Sequence, residues 1–167
     1  MKAIAAMAEN RAIGKNGGLP WPSIKEDFKH FKEFTMGKTL VVGRKTYDSL
    51  PPLKGRKIVV ITNDYLSLVE ECILHPKCEK MYTRSYKQMV NDITETSESG
   101  DETFKESIIA GGAKMYELFL PYITEFYVTH VKGSYDADTY MPAFEHLFTK
   151  QETLKEFDGH RIVRYTK

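Results

Sequence analysis

The chain has 167 residues, 41% of them apolar and 28% charged, with a net charge of +1; that size reads as one domain, residues 1–167, burying about two-thirds of its unfolded surface. No basic block exceeds about three residues, which argues against a general nucleic-acid or membrane surface, and no apolar run approaches the ~20 residues of a membrane span. Cys72 and Cys78 have neither metal-ligand nor redox spacing, so no metal site is expected and both read as reduced thiols of a cytoplasmic protein.

The first apolar run, 2–8, faintly resembles a signal peptide, but Glu9-Asn10-Arg11 cut it short and a buried first strand is the better reading. After Gly17-Gly18-Leu19-Pro20-Trp21 comes Ser23-Ile24-Lys25-Glu26, which reads as a capping box: Ser23 serves the first free N–H groups and Glu26 reaches back to the Ser23 amide. The helix it opens runs from Ile24 to about Thr35. At roughly 100° per residue, Ile24, Phe28, Phe31 and Thr35 share a stripe with Phe34 at its edge, while Lys25, Lys29, His30, Lys32 and Glu33 point elsewhere. Asp27 falls on the apolar stripe. A buried carboxylate is costly unless something cationic or hydrogen-bonding meets it. It is either satisfied by a neighbouring amide or hydroxyl, or it closes an apolar slot built by Trp21 and the phenylalanines. Such a slot suits a flat heteroaromatic ligand that presents an N–H beside an amino group.

Farther along, strand-like runs occur at 39–43, 58–62, 79–83, 107–110 and 125–132, with a weaker one near 72–75. Helical patterns intervene at 44–50, 86–94 and 112–120, the second opened by another capping box from Ser85 to Gln88. Residues 95–103 read as a solvated acidic loop. Alternating strands and helices imply an α/β fold with a mainly parallel sheet covered on both faces. The tail, 149–157 and 160–166 around Asp158-Gly159, reads as a hairpin and adds an antiparallel edge.

Two strand–Gly–helix corners stand out, Gly43-Arg44-Lys45-Thr46 and Gly111-Gly112-Ala113-Lys114. Glycine admits close backbone approach, and helix starts with Arg44, Lys45 and Lys114 favour anions. Neither matches the Walker loop or the GxGxxG fingerprint. Each alone reads as helix packing, but two on neighbouring strands would straddle a diphosphate such as a dinucleotide carries. Thr62-Asn63, at another strand end, would with Arg44 favour NADPH over NADH.

Ile4-Ala5-Ala6, Ile13-Gly14, Leu19-Pro20-Trp21, Asp27 with Phe31, Gly43-Arg44-Lys45-Thr46, Gly55-Arg56, Gly111-Gly112 with Tyr116, Phe126-Tyr127-Val128-Thr129-His130 and Asp138-Thr139 stand in the order and approximate spacing of dihydrofolate reductases, which the chain resembles from about residue 2 to 142. The resemblance implies an eight-stranded, mainly parallel sheet with an antiparallel C-terminal edge and about four helices. It implies reduction of 7,8-dihydrofolate to tetrahydrofolate by NADPH, for one-carbon metabolism, in a cytoplasmic monomer open to antifolates such as methotrexate and trimethoprim. It places Asp27 against the pterin 2-amino and N3 groups, Thr129 behind that acid, an ordered water at Trp21, and Leu19 on a mobile loop with Gly14, Gly17 and Gly18 as hinges. Ile4, Ala5, Phe28, Phe31, Ser49, Leu50, Leu53 and Ala110 correspond to further substrate positions, and Arg56 to the partner of the α-carboxylate in the glutamate tail. Ala6, Ile13, Gly14, Gly18, Leu19 and Tyr116 correspond to the nicotinamide side. Gly43, Arg44, Lys45, Thr46, Ile61, Thr62, Asn63, Gly111, Gly112, Ala113, Lys114 and Met115 correspond to the rest of the cofactor site, and the family's Gly-Gly bond is cis. Two readings compete: a riboflavin-pathway reductase acting on a ribosylated pyrimidine, and a catalytically silent dinucleotide binder.

Overall fold

The computed structural model describes residues 1–64, 78–94 and 106–167. The weak strand expected near 72–75 and the whole acidic loop, 95–103, lie outside them. Among the described residues ten strands are formed: β1 Lys2–Ala8, β2 Ala12–Gly14, β3 Thr39–Gly43, β4 Leu53–Ile61, β5 Cys78–Arg84, β6 Ile108–Ile109, β7 Glu125–Val131, β8 Thr139–Tyr140, β9 Lys150–Phe157 and β10 His160–Thr166. The α-helices among the described residues are α1 Lys25–Thr35, α2 Arg44–Ser49, α3 Tyr86–Thr94 and α4 Ala113–Phe119.

Eight strands make one sheet in the order β5-β4-β3-β6-β1-β7-β10-β9. The pairs from β5 to β7 are parallel, and β10 is antiparallel to both β7 and β9. The α/β expectation therefore holds, antiparallel edge included. Side chains alternate across each strand, and the central strands are apolar on both faces because helices cover both. Ile4, Leu40, Val42, Ile58, Val60, Ile108 and Tyr127 pack beneath Phe31 and Phe34 of α1 and Tyr47 of α2. Ala3, Val41, Val59, Ile109, Phe126 and Val128 pack on the other face against Met89 of α3 and Met115, Tyr116 and Phe119 of α4.

The second capping box forms as read. The Ser85 amide donates to Gln88 Oε1 at 2.8 Å and the Gln88 amide to Ser85 Oγ at 3.2 Å. The first does not. Ile24 takes the N-cap place with extended backbone and no side-chain cap bond, which leaves Ser23 one residue too early. Glu26 and Asp27 in the first turn still complement the helix dipole. Two other expectations for α1 fail. Phe28 is 47% exposed rather than packed inward, and His30 turns toward the sheet, its ring 6.3 Å from that of Tyr127.

β4 is longer than its apolar run, and β2 and β8 form a small separate sheet too short for periodicity to reveal.

Candidate active site

Several of the expected site residues lie where the parallel strands end, the usual place for a ligand in an open α/β sheet, whereas Leu53 and Arg56 lie in the first part of β4. β1 brings Ile4, Ala5 and Ala6, β3 brings Gly43, β4 brings Ile61 followed by Thr62 and Asn63, and β6 is followed by Ala110 and Gly111. Two surface hollows of about 740 and 440 Å³, one around Glu125 and Arg164 and one around Lys2 and Lys57, lie at the opposite ends of the strands.

Asp27, in the first turn of α1, is partly buried. Burial raises its pKa above the ordinary value; Thr129, His30 and His160 each pull it back down. The Thr129 hydroxyl on β7 thus favours the carboxylate, yet Thr129 Oγ1 falls outside ordinary hydrogen-bond geometry and has no partner of its own. Trp21 is buried beside Ala8, Ala12 and Val131, its ring edge-on to Tyr135 at 5.7 Å, and its Nε1 is likewise unpartnered. Polar atoms in that condition are rare in native structures and point to a water or ligand. Tyr116 donates its hydroxyl to the Ile4 carbonyl at 2.8 Å and is fully enclosed, so burial keeps it neutral. Phe31, Leu50 and Ala110 pack partly buried above the α1-side core, and Leu53 lies within it.

Arg56 is only 7% exposed, with Nε 3.3 Å from the Lys54 carbonyl and Nη1 3.4 Å from Thr35 Oγ1. Burial lowers its pKa, but an arginine keeps its charge. A nearly enclosed guanidinium with long, neutral hydrogen bonds is suited to a carboxylate.

The two glycine corners prove to be one construction. β3 and β6 are neighbours, and the Gly43 amide donates to the Gly111 carbonyl at 3.0 Å. The Gly111-Gly112 peptide is cis, in agreement with the family. A methyl group on Gly112 would sit 3.1 Å from Thr46 Oγ1, and one on Gly111 3.3 Å from Thr46 Cγ2, so side chains are excluded where the corners meet. Met115 fills the space beside Gly43. Lys45 is exposed; Arg44 pairs with Asp48 at 2.8 Å and Lys114 with Glu117 at 2.8 Å, exposed pairs that cost little to rearrange. The Thr62 hydroxyl is engaged in a local turn with Asp64. These residues fit a polyanionic dinucleotide: close backbone approach, three cations and hydroxyls at strand ends.

The 9–22 loop carries a local hairpin and tertiary contacts of its own. Lys15 and Gly18 exchange both backbone hydrogen bonds at 2.9 Å around Asn16 and Gly17, whose φ values of 50° and 80° make the mirror-image turn that suits a two-residue hairpin. Gly17 therefore serves a turn. Gly14 serves packing, since a methyl group there would meet Thr139 Cβ at 3.2 Å. The loop is pinned to residues 133–145. Asp138 Oδ2 accepts the Asn16 amide at 2.7 Å, Lys15 pairs with Asp136, and Arg11 reaches the Met141 and Pro142 carbonyls and Glu145. Leu19 stays 42% exposed, and Ile13 is partly buried.

Sequence reading missed His30, His160 and Arg11. His30 lies three residues after Asp27, a spacing that places the two on adjoining positions of one helix face; that signal was available. Nothing local marks His160 or Arg11, which act through contacts distant in the chain.

A family model described as dihydrofolate reductase matches residues 1–165. A type 8 dihydrofolate reductase from Escherichia coli is 34% identical over all of this chain and 95% of its own length. The dihydrofolate reductase of Neisseria meningitidis is 34% identical over 89% of this chain and 82% of its own. Among solved structures, a dihydrofolate reductase from Enterococcus faecalis complexed with NADP(H) and RAB-propyl matches with a TM-score of 0.69 and 24% identity, covering 99% of this chain and 94% of that one. With the fold, the acid on α1 and the paired glycine corners all in agreement, the chain belongs to the dihydrofolate reductase family.

Proposed function

We propose that this dihydrofolate reductase works as a cytoplasmic monomer of one domain, residues 1–167, with Asp27 as the group on which turnover depends. The reaction is reduction of 7,8-dihydrofolate to tetrahydrofolate at the expense of NADPH. The observation that carries the site reading is the partly buried Asp27 carboxylate on α1, whose charged form the Thr129 hydroxyl favours. No helix among the described residues is long and apolar enough to cross a membrane.

When bound, NADPH supplies the hydride that reduces C6 of the pterin. Gly43, Gly111 and Gly112 admit its backbone-facing groups, with Arg44, Lys45, Thr46, Ala113 and Lys114 beside its phosphates. Thr62 and Asn63 flank the adenosine end beyond Ile61, Met115 lies beside Gly43, and Ala6, Ile13, Gly14, Gly18 and Tyr116 border the nicotinamide. Asp27 accepts hydrogen bonds from the pterin N3 and 2-amino groups, and its negative charge raises the basicity of N5. A proton then reaches N5 through water admitted past Leu19. Ile4, Ala5, Phe28, Phe31, Ser49, Leu50, Leu53 and Ala110 shape the substrate slot, and Arg56 holds the α-carboxylate of the tail. Half-exposed Phe28 is a rim residue, free to cover a ligand.

Asp27→Asn keeps shape and loses charge. Neutral-pH turnover is expected to fall by about 10²–10³, the usual cost of one preorganised electrostatic group, with NADPH binding retained. Loss of NADPH absorbance, followed with dihydrofolate, with a ribosylated pyrimidine and with neither, separates this reading from the pyrimidine reductase and the silent binder. Wild-type rates in Asp27→Asn would remove Asp27 from the mechanism.

A further inference from the structure

Arg11 stands at the root of β2, two residues ahead of Ile13, with its backbone at a φ of 64°. Glycine takes that conformation freely, whereas a residue with a long side chain does so rarely. What holds an arginine there is its side chain. All three guanidinium nitrogens are engaged by one short segment: Nε donates to the Met141 carbonyl at 3.0 Å, Nη1 to Glu145 Oε1 at 2.7 Å and Nη2 to the Pro142 carbonyl. Cζ lies 5.6 Å from the centre of the Phe144 ring, within cation–π range. The main chain closes the same contact, the Met141 amide donating to the Arg11 carbonyl at 2.8 Å. The segment so gripped is itself fixed. Phe144 is fully buried against Phe126 of β7 and Tyr165 of β10, and its amide donates to Glu145 Oε2 at 3.0 Å.

β2 lies outside the eight-stranded sheet, and its ladder partner is the two-residue strand β8. So short a pairing fixes a strand weakly by itself. Yet Ile13 packs partly buried on the α4-side core, and Gly14 lies close against Thr139 of β8. The Asp138 carboxylate holds the hairpin tip at Asn16; Arg11 holds the other end. We propose that Arg11 is a positioning residue for hydride transfer, tying the root of β2 to the buried Phe144 segment and so setting where Ile13 and Gly14 stand against the nicotinamide. The proposal rests on the assignment of those two residues to the nicotinamide side. The grip needs a fork as well as a charge. Lysine keeps the charge, but its single ammonium cannot present three donors in the fixed directions that two carbonyls and a carboxylate occupy here.

The test compares wild type with Arg11→Lys and Arg11→Gln in single-turnover oxidation of bound NADPH by dihydrofolate, well below the melting temperature. NADPH deuterated at the transferred position identifies the hydride step. Both variants are expected to transfer hydride about tenfold or more slowly, while the KM for dihydrofolate, bound on the α1 side, stays near its wild-type value. A role in stability alone would lower the melting temperature and leave the transfer rate of the folded enzyme unchanged; that result overturns the proposal. Full recovery of the rate in Arg11→Lys would overturn it too, since charge without the fork would then suffice. Should neither variant fold, Glu145→Ala removes one arm of the grip at a partly exposed side chain. Transfer should then slow severalfold, and an unmoved rate is equally fatal. Ile13→Ala separates this proposal from the site reading beneath it. A full transfer rate in Ile13→Ala would withdraw the nicotinamide-side assignment and the proposal together, whereas a slowed Ile13→Ala beside an unmoved Arg11→Lys rejects the Arg11 role alone.

Discussion

Asp27 is held where its charge costs stability. Burial raises its folded pKa above the 3.8 of an unperturbed side chain, so the folded state binds a proton the unfolded chain has already released. Its favourable contribution is complete below that unperturbed value and is lost as pH rises through the folded value. Asp27→Asn does not titrate and should melt a few degrees higher than wild type near pH 7 (about 2–4 °C accompanies each kcal/mol in a chain of this size). The gain should shrink as pH falls below the folded value and vanish below the unperturbed one. Melting curves at several pH values check this, and a variant no more stable at neutral pH would contradict the burial argument. The inward acid was legible from helical spacing because three- and four-residue steps place it among Ile24, Phe31 and Thr35. Phe28 obeyed the same arithmetic but is 47% exposed, because no element among the described residues covers it.

The two capping boxes had the same sequence pattern and different outcomes. Ser85 and Gln88 stand where α3 begins, but α1 begins one residue later than its pattern implied. A cap signal identifies a helix start only to within a residue or two. The 9–22 loop depends on more distant contacts. Arg11 adopts a φ of 64°, uncommon for a residue with a side chain, and its guanidinium is fixed by the Met141 and Pro142 carbonyls and Glu145. Asp138 holds the hairpin tip through the Asn16 amide, and that bond keeps its carboxyl below the usual range. Its folded pKa being lowered, this anchor persists through neutral pH and is lost only as pH falls through that low value. Asp138→Ala should release the tip and slow single-turnover hydride transfer by about tenfold or more, since small misplacements near a reacting centre are costly. The melting temperature should barely move, because Asp138 is exposed. An unchanged transfer rate would show that the tip does not need this anchor.

On the α4 side of the sheet, an aromatic cluster ties the C-terminal segment to the central strands. Phe144 is fully buried, 4.7 Å from the Phe126 ring and 5.2 Å from Tyr165, with Arg11 over its face at 5.6 Å. Phe144→Ala should cost about 3–5 kcal/mol, a large share of the roughly 5–15 kcal/mol that holds a domain together; urea denaturation measures it. Part of the loss should appear as slower turnover, because Glu145 and Arg11 link this cluster to the loop over the cleft. The alternation of the longer strands with helices, the mainly parallel sheet, the tail hairpin and the glycine corners followed from sequence alone, since each depends on periodicity, turn residues or spacing within a short stretch. Pairing was different. That the Gly43 and Gly111 corners hydrogen-bond to each other and that residues 133–145 clasp the 9–22 loop were decided by tertiary structure. Those contacts join residues up to about 130 positions apart. No local pattern encodes such a meeting, because the free energy that selects it comes from burying whole faces together.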